Sequence, residues 1–96
     1  MGDFNAPPDT PEINRVIREG RFLDTYASLH AGSTGYTWSY ENRYVRECHD
    51  LLPERRIDYI FVRNFPENLS AVEIAFKQPL KDQWPSDHFG LLASFQ

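Results

Sequence analysis

Apolar residues recur at a helical spacing near the start of the chain. Ile13, Val16 and Ile17 occupy positions i, i+3 and i+4, which places one apolar stripe along the surface of a helix. We therefore predict a helix over residues 11–19.

The residues flanking this helix carry its start and stop signals. Asp9 or Thr10 is the expected N-cap, and Glu12 is placed to complete a capping box from Asp9. Gly20 is expected to end the helix in a left-handed conformation.

The second half of the chain contains runs of β-branched and aromatic residues of strand length. The predicted strands cover residues 57–62, 69–76 and 89–95. In the second of them Val72, Ile74 and Phe76 alternate, so we expect all three on one face of a sheet. Charged residues at 41–56 predict an exposed loop, and a further loop is expected at 78–85.

Composition narrows the class of protein. The 96 residues are 41% hydrophobic and 15% aromatic, which is typical of a globular domain rather than a disordered tail. A net charge of −4 argues against a basic nucleic-acid-binding surface on this chain. Cys48 is the single cysteine, which excludes an internal disulfide, and no apolar run reaches membrane-spanning length. These features do not assign a cellular compartment.

Asp58 is a carboxylate in an otherwise apolar strand. Because both faces of that strand are apolar, Asp58 is expected to be partly buried and to need a hydrogen-bond donor. Backbone N–H groups or Arg56 are one possible set of donors. His88, in the loop before the last strand, is the other, and a carboxylate behind its imidazole would fix the tautomer and orientation of the ring. The alternative for His88 is a solvated side chain in a turn.

Asp3 and Asn5 place a carboxylate and a carboxamide two residues apart. On an extended backbone both side chains would point the same way, with Phe4 turned inward as an anchor. Asp3 would then accept a proton from an attacking water or bind a cation, and Asn5 would donate to a phosphate oxygen. The alternative is that both residues only form Asx turns.

Other polar residues are weaker candidates for a metal-binding or phosphate-binding site. The consecutive residues Cys48, His49 and Asp50 rarely converge on one metal, and no second Cys/His pair accompanies them. His30 is expected at the surface. Four arginines could line a phosphate path, but scattered loop arginines are usually solvated: Arg43, Arg46, Arg55 and Arg56.

Three motifs follow one another along the chain: Gly2-Asp3-Phe4-Asn5, Arg56-Ile57-Asp58-Tyr59-Ile60-Phe61, and Ser86-Asp87-His88-Phe89. A Thr37-Trp38 pair lies between the first and the second. In order and rough spacing they resemble the C-terminal motifs of the endonuclease/exonuclease/phosphatase family. The resemblance covers essentially the whole chain.

The resemblance implies a Mg²⁺- or Mn²⁺-dependent hydrolase that activates water for in-line attack on a phosphate ester. By motif position, Asp3 would orient or deprotonate the water, and Asn5 would contact the phosphate or the metal. Asp58 would orient His88, which would stabilise the phosphate in the transition state. Asp87 would be a carboxylate in or beside the metal site, so that the implied metal-binding set is Asp3, Asn5 and Asp87.

Two aromatic residues within these motifs have simpler expected roles. Trp38 is expected to be either a platform on the substrate side of the site or part of the core. Tyr59 is expected to pack in the core.

The resemblance also implies an α+β fold, namely the C-terminal half of a four-layered DNase I-like sandwich with mostly antiparallel sheet and one or two helices. Residues 1–96 would form the C-terminal portion of the domain. The N-terminal half, which carries the principal metal-binding Glu in the family, would be absent. We therefore expect the isolated chain to be catalytically incomplete and to need that half for activity.

The substrate and the alternative function remain open at this level. The phosphate ester could belong to a nucleic acid, a phospholipid or a small soluble molecule, because specificity in such folds is determined by loops. The alternative is a non-catalytic truncated fragment or interaction module that self-associates through an exposed sheet.

Overall fold

The computed structural model describes residues 1–47, 52–64 and 67–96. In chain order its elements are the strand β1 (Gly2–Asp3), the helix α1 (Pro11–Arg18), the strand β2 (Leu23–Asp24), the helices α2 (Thr25–Leu29) and α3 (Arg43–Arg46), and the strands β3 (Asp58–Tyr59), β4 (Phe61–Val62), β5 (Leu69–Ala75) and β6 (Gly90–Phe95). Cys48, His49 and Asp50 lie outside the described residues.

All three strand pairs in the described part of the chain are antiparallel. β1 pairs with β3, β2 with β4, and β5 with β6. The fold is therefore α+β, as the sequence predicts. The described residues form three helices, where one or two were expected, because two short ones occur in segments with no apolar periodicity. Within the same described ranges, no helix has the length and apolar character needed to cross a membrane.

Helix α1 begins and ends close to the predicted positions, and its N-cap is one of the two predicted residues. Thr10 is the N-cap, and its hydroxyl donates to the Pro7 carbonyl instead of capping the helix. The capping box from Asp9 is therefore wrong. Gly20 is not left-handed either, whereas Arg21 is, with φ of 55°. Glycine is needed at position 20 because a Cβ atom there would lie 2.5 Å from the Val16 carbonyl oxygen.

The predicted strand at 57–62 is interrupted at Ile60. The Ile60 carbonyl accepts hydrogen bonds from the backbone N–H and the hydroxyl of Thr25, at 3.2 and 2.8 Å. Thr25 begins α2, so this contact joins the strand to a helix start instead of continuing one ladder. The result is two short strands, β3 and β4, each with its own partner strand.

The β5–β6 pair is the longest ladder, with an irregularity between Leu69 and Ala71. Val72 is buried, but Phe76 is 66% exposed and left-handed, with φ of 58°. The expectation that Phe76 continues the apolar face of β5 is therefore wrong. Its ring lies against Gly90, where an added Cβ atom would come within 2.6 Å of a ring carbon.

The predicted loop at 41–56 contains α3 and a buried arginine. Asn42 caps α3 by accepting from the Tyr44 N–H at 2.9 Å. Arg56 is not solvated, since it forms a two-point ion pair with Asp24 at 2.8 and 3.0 Å, and both side chains are only 7% exposed. A charge this deeply buried is stable only when it is paired, and Asp24 supplies the partner.

Among the residues that the structure describes, two small clusters form the core. The first contains Ala6, Ile13 and Tyr59, with Phe61 packed against it, and the second contains Trp38, Val45 and Ile57. Burial raises the pKa of Tyr59, whose hydroxyl donates to the Ala6 carbonyl at 2.7 Å. Tyr59 is thus a core residue, as the sequence predicts. The β3 strand that carries Asp58 is anchored by its neighbours in both clusters.

Candidate active site

Two aspartates face one another across the β1–β3 ladder. Asp3 is the direct register partner of Asp58. The Phe4 N–H bonds to the Ile57 carbonyl at 2.9 Å, and hydrogen-bonded positions alternate along an antiparallel ladder. Asp3 and Asp58 therefore form a pair without mutual backbone hydrogen bonds, the arrangement in which opposed side chains come closest. The register brings two carboxylates together.

His88 lies between these carboxylates. Its Nδ1 is 2.7 Å from Oδ2 of Asp58, and its Nε2 is 3.9 Å from Oδ2 of Asp3. An ionised carboxylate only accepts hydrogen bonds. Nδ1 is therefore protonated, and its N–H donates a hydrogen bond to Asp58. Asp58 is thus bonded to His88 rather than to Arg56, and the imidazole is held with its Nε2 edge toward Asp3.

Asp3 divides its two oxygens between a turn and the site. Oδ1 accepts from the Asn5 N–H at 2.8 Å, which is an Asx turn, while Oδ2 faces His88. Asn5 is left-handed with φ of 50°, so the expectation of an extended backbone through this residue is wrong. The backbone at Asp3 and Asn5 therefore forms the Asx turn that was the alternative prediction. The same turn orients the Asp3 carboxylate.

The gap between Asp3 and His88 has a chemically useful size. At 3.9 Å, Nε2 and Oδ2 are too far apart for a direct hydrogen bond. An oxygen atom at about 2.8 Å from both fits between them, which is the ordinary length of such a bond. The side chains are accessible enough to admit it, since Asp3 is 51% exposed and His88 is 24% exposed. A separate concavity of about 180 Å³ lies beside Asp58, Tyr59 and Phe89, and neither Asp3 nor His88 lines it.

The loop before His88 is held by residues that the sequence analysis did not single out. The His88 N–H donates to Oγ of Ser86 at 3.1 Å. The carbonyl of Ser86 accepts from Nδ2 of Asn42 at 2.7 Å, and Asn42 is fully buried. Asn42 thus ties the start of α3 to the His88 loop. Its 44-residue separation from Ser86 leaves no local signal from which the contact could be predicted.

Besides Asn5, two predicted site residues lie outside the Asp3–Asp58–His88 group. Asp87 is exposed, and its Oδ1 accepts from the Ser86 hydroxyl at 3.3 Å. Trp38 is 5% exposed within the second core cluster, which is the packing alternative. A metal-binding role for Asp87 and a substrate contact by Trp38 stay predictions, and burial weighs against the second.

The donor atoms in the group suit a divalent cation. Ligand atoms of Asp3, Asp58 and His88 all lie within 4.8 Å of one another. Asp58 is already engaged by Nδ1 of His88, so the carboxylate oxygen that faces outward is that of Asp3. Carboxylate and amide oxygens are the ligands that Mg²⁺ and Mn²⁺ prefer, and Asp3, Asn5 and Asp87 are all exposed here.

Comparison with known proteins identifies a family for this chain. The model of the Endonuclease/Exonuclease/phosphatase family matches residues 1–88. The chain belongs to the endonuclease/exonuclease/phosphatase family. Neither the curated proteins nor the solved structures gave a significant match. Members of this family form a phosphoester hydrolase superfamily and are generally dependent on divalent metals.

Proposed function

We propose that this member of the endonuclease/exonuclease/phosphatase family carries the water-activating and phosphate-binding side of a metal-dependent phosphoester hydrolase. The observation that supports this most directly is the 2.7 Å contact between Nδ1 of His88 and Asp58, with Nε2 turned toward Asp3. A carboxylate–imidazole pair beside a second carboxylate supplies both a proton acceptor and a hydrogen-bond donor to one small region.

Each side chain has a defined task in this proposal. Asp3 orients a water and accepts its proton through Oδ2, because Oδ1 is occupied by the Asn5 N–H. His88, protonated at both ring nitrogens, donates from Nε2–H to a phosphate oxygen, and Asp58 accepts from Nδ1–H and holds the ring from the other side. Asn5 contacts the phosphate or the metal through its amide.

The cation would be Mg²⁺ or Mn²⁺, held by Asp3, Asn5 and Asp87. When bound, it would neutralise phosphate charge and acidify a coordinated water. Mg²⁺ takes six ligands, and three side chains with waters hold it weakly. We therefore propose that further ligands come from protein outside this sequence, as in the N-terminal half of the family fold, and that the chain alone has little activity.

The test is hydrolysis of bis-p-nitrophenyl phosphate with Mg²⁺ or Mn²⁺. The chain is assayed alone and mixed with the separately expressed N-terminal half of a family member. His88→Ala is the site variant and His30→Gln the control, since His30 bonds to the Val72 carbonyl and stacks on Tyr26. Activity that needs metal, is lost in His88→Ala and survives in His30→Gln supports the proposal. Metal-dependent activity that persists in His88→Ala refutes the assignment of His88.

A second candidate function rests on exposed apolar side chains of the sheet. Leu92 and Phe95 on β6 are 54% and 46% exposed. We propose self-association through the exposed sheet as the alternative, because exposed apolar sheet favours contact with another chain. Sedimentation velocity of the chain and of Leu92→Ser separates the two: a concentration-dependent oligomer lost in Leu92→Ser, with no hydrolysis in any mixture, favours this alternative.

A further inference from the structure

Thr37 bonds to both segments that carry the Asp58–His88 pair. Its Oγ1 accepts from the N–H groups of Ile57 at 3.1 Å and Asp58 at 3.3 Å. Its carbonyl accepts from the N–H of Phe89, the residue after His88, at 2.6 Å. Thr37 is fully buried. One residue therefore connects the backbone beside Asp58 to the backbone beside His88.

The β1–β3 ladder explains why Asp58 needs this partner. Asp58 occupies a position without mutual backbone hydrogen bonds to Asp3, so its N–H points away from β1. A buried N–H without an acceptor is costly, and Oγ1 of Thr37 supplies the acceptor. The β-branched side chain has few rotamers, so this oxygen is held in one place.

We propose that Thr37 is a positioning residue that sets the register between Asp58 and His88 for the hydrolysis proposed above, on which this inference rests. The two site residues are 30 positions apart, and their 2.7 Å contact tolerates little displacement of either backbone. Thr37 fixes both backbones from one point. Loss of its hydroxyl oxygen would release Asp58 while leaving the bond to Phe89 through the main chain.

The chain offers a matched control for this hydroxyl. Thr25 is also fully buried, and its Oγ1 bonds to the same strand region, at the Ile60 carbonyl. Thr25→Val removes a buried hydroxyl that bonds to Ile60, two residues after Asp58. Thr37→Val removes the buried hydroxyl that bonds to Asp58 itself. Thr37→Ser keeps the oxygen and is the conservative variant.

The first readout is the His88 ring Nδ1–H proton in the NMR spectrum of each variant, which does not depend on activity. We expect its downfield resonance to be retained in Thr25→Val and Thr37→Ser and lost in Thr37→Val. In the active mixture, kcat should fall by about 10- to 100-fold in Thr37→Val with little change in KM, as when other groups that orient active-site side chains are removed. Thr37→Ser should recover most of kcat.

Equal behaviour of Thr37→Val and Thr25→Val in both measurements would overturn the proposal. If Thr37→Val does not fold, amide hydrogen exchange of the unaltered chain tests the contact instead. The Asp58 and Phe89 amides should both be protected from exchange. Exchange of the Asp58 amide at the rate of an unprotected amide refutes the contact. Absence of hydrolysis in every mixture would count against the proposed function, while the NMR and exchange results would still decide the role of Thr37.

Discussion

Replacement of Asp58 by asparagine tests the central contact of the site. The substitution keeps the size of the side chain but removes its charge. Asparagine can still accept a hydrogen bond from Nδ1–H of His88 through its amide oxygen, so the ring keeps its orientation. The bond is no longer charge-assisted, and no negative charge faces the imidazolium whose Nε2–H is proposed to donate to the phosphate. We expect the imidazole to be held in place but to stabilise the phosphate less.

The size of the effect follows from the geometry of the pair. The contact is 2.7 Å long, and the two side chains are 24% and 20% exposed, so it is a charge-assisted hydrogen bond with limited competition from water. Such bonds contribute about 1.5–3 kcal/mol. At about 1.4 kcal/mol per factor of ten, this corresponds to a loss of roughly 10- to 150-fold in kcat.

The assay is steady-state hydrolysis of bis-p-nitrophenyl phosphate by the active mixture. Asp82→Asn is the matched control, because Asp82 is 90% exposed and its 3.6 Å contact with Arg43 is solvated. Asp82→Asn should leave kcat unchanged. A loss below about threefold in Asp58→Asn would show that the charge of Asp58 does not act on His88 during the reaction.

Two further predictions concern stability. Asp24→Asn should lower the free energy of unfolding by about 3–5 kcal/mol, because the substitution leaves the charge of Arg56 buried and unpaired. Glu19→Gln, which removes an exposed ion pair, should change the free energy of unfolding by less than about 1 kcal/mol. Urea unfolding measures both, and a small effect of Asp24→Asn would mean that water reaches Arg56. Tyr59→Phe should cost about 1 kcal/mol at pH 7 through the lost bond to the Ala6 carbonyl. Burial raises the pKa of Tyr59 above its ordinary 10.0, so the folded chain keeps this proton above pH 10 while the unfolded chain releases it. The wild-type chain should therefore lose stability above pH 10 by up to about 1.4 kcal/mol per pH unit more than Tyr59→Phe, and parallel pH dependence of the two would contradict the assignment.

Local patterns in the sequence predicted the parts of the fold that depend on local interactions. The spacing of Ile13, Val16 and Ile17 located α1, which the structure gives as Pro11–Arg18. The runs of β-branched and aromatic residues located both ends of β5 and of β6 to within one residue. Side-chain chemistry also predicted that Asp58, a carboxylate in an apolar strand, needs a donor, and His88 was one of the two alternatives.

The errors arose where distant residues determine the local structure. The 57–62 strand divides because Thr25 takes the Ile60 carbonyl, and Arg56 is buried because Asp24 lies opposite it, 32 positions away. Neither contact leaves a trace in the sequence near the strand. Gly20 was correctly marked as special, but for close approach to the Val16 carbonyl and not for a left-handed turn.

The register of β1 against β3 explains why the site forms where it does. Opposed carboxylates on neighbouring strands repel one another, so the Asp3–Asp58 pair works against the ladder that creates it. The repulsion is offset on one side by the Nδ1–H of His88, which bonds to Asp58. It is not offset for Oδ2 of Asp3, which lies 3.9 Å from Nε2. The fold thus holds one carboxylate oxygen beside an imidazole edge at a spacing suited to a third group, and a divalent cation, or a proton taken up by Asp3, would relieve the same repulsion.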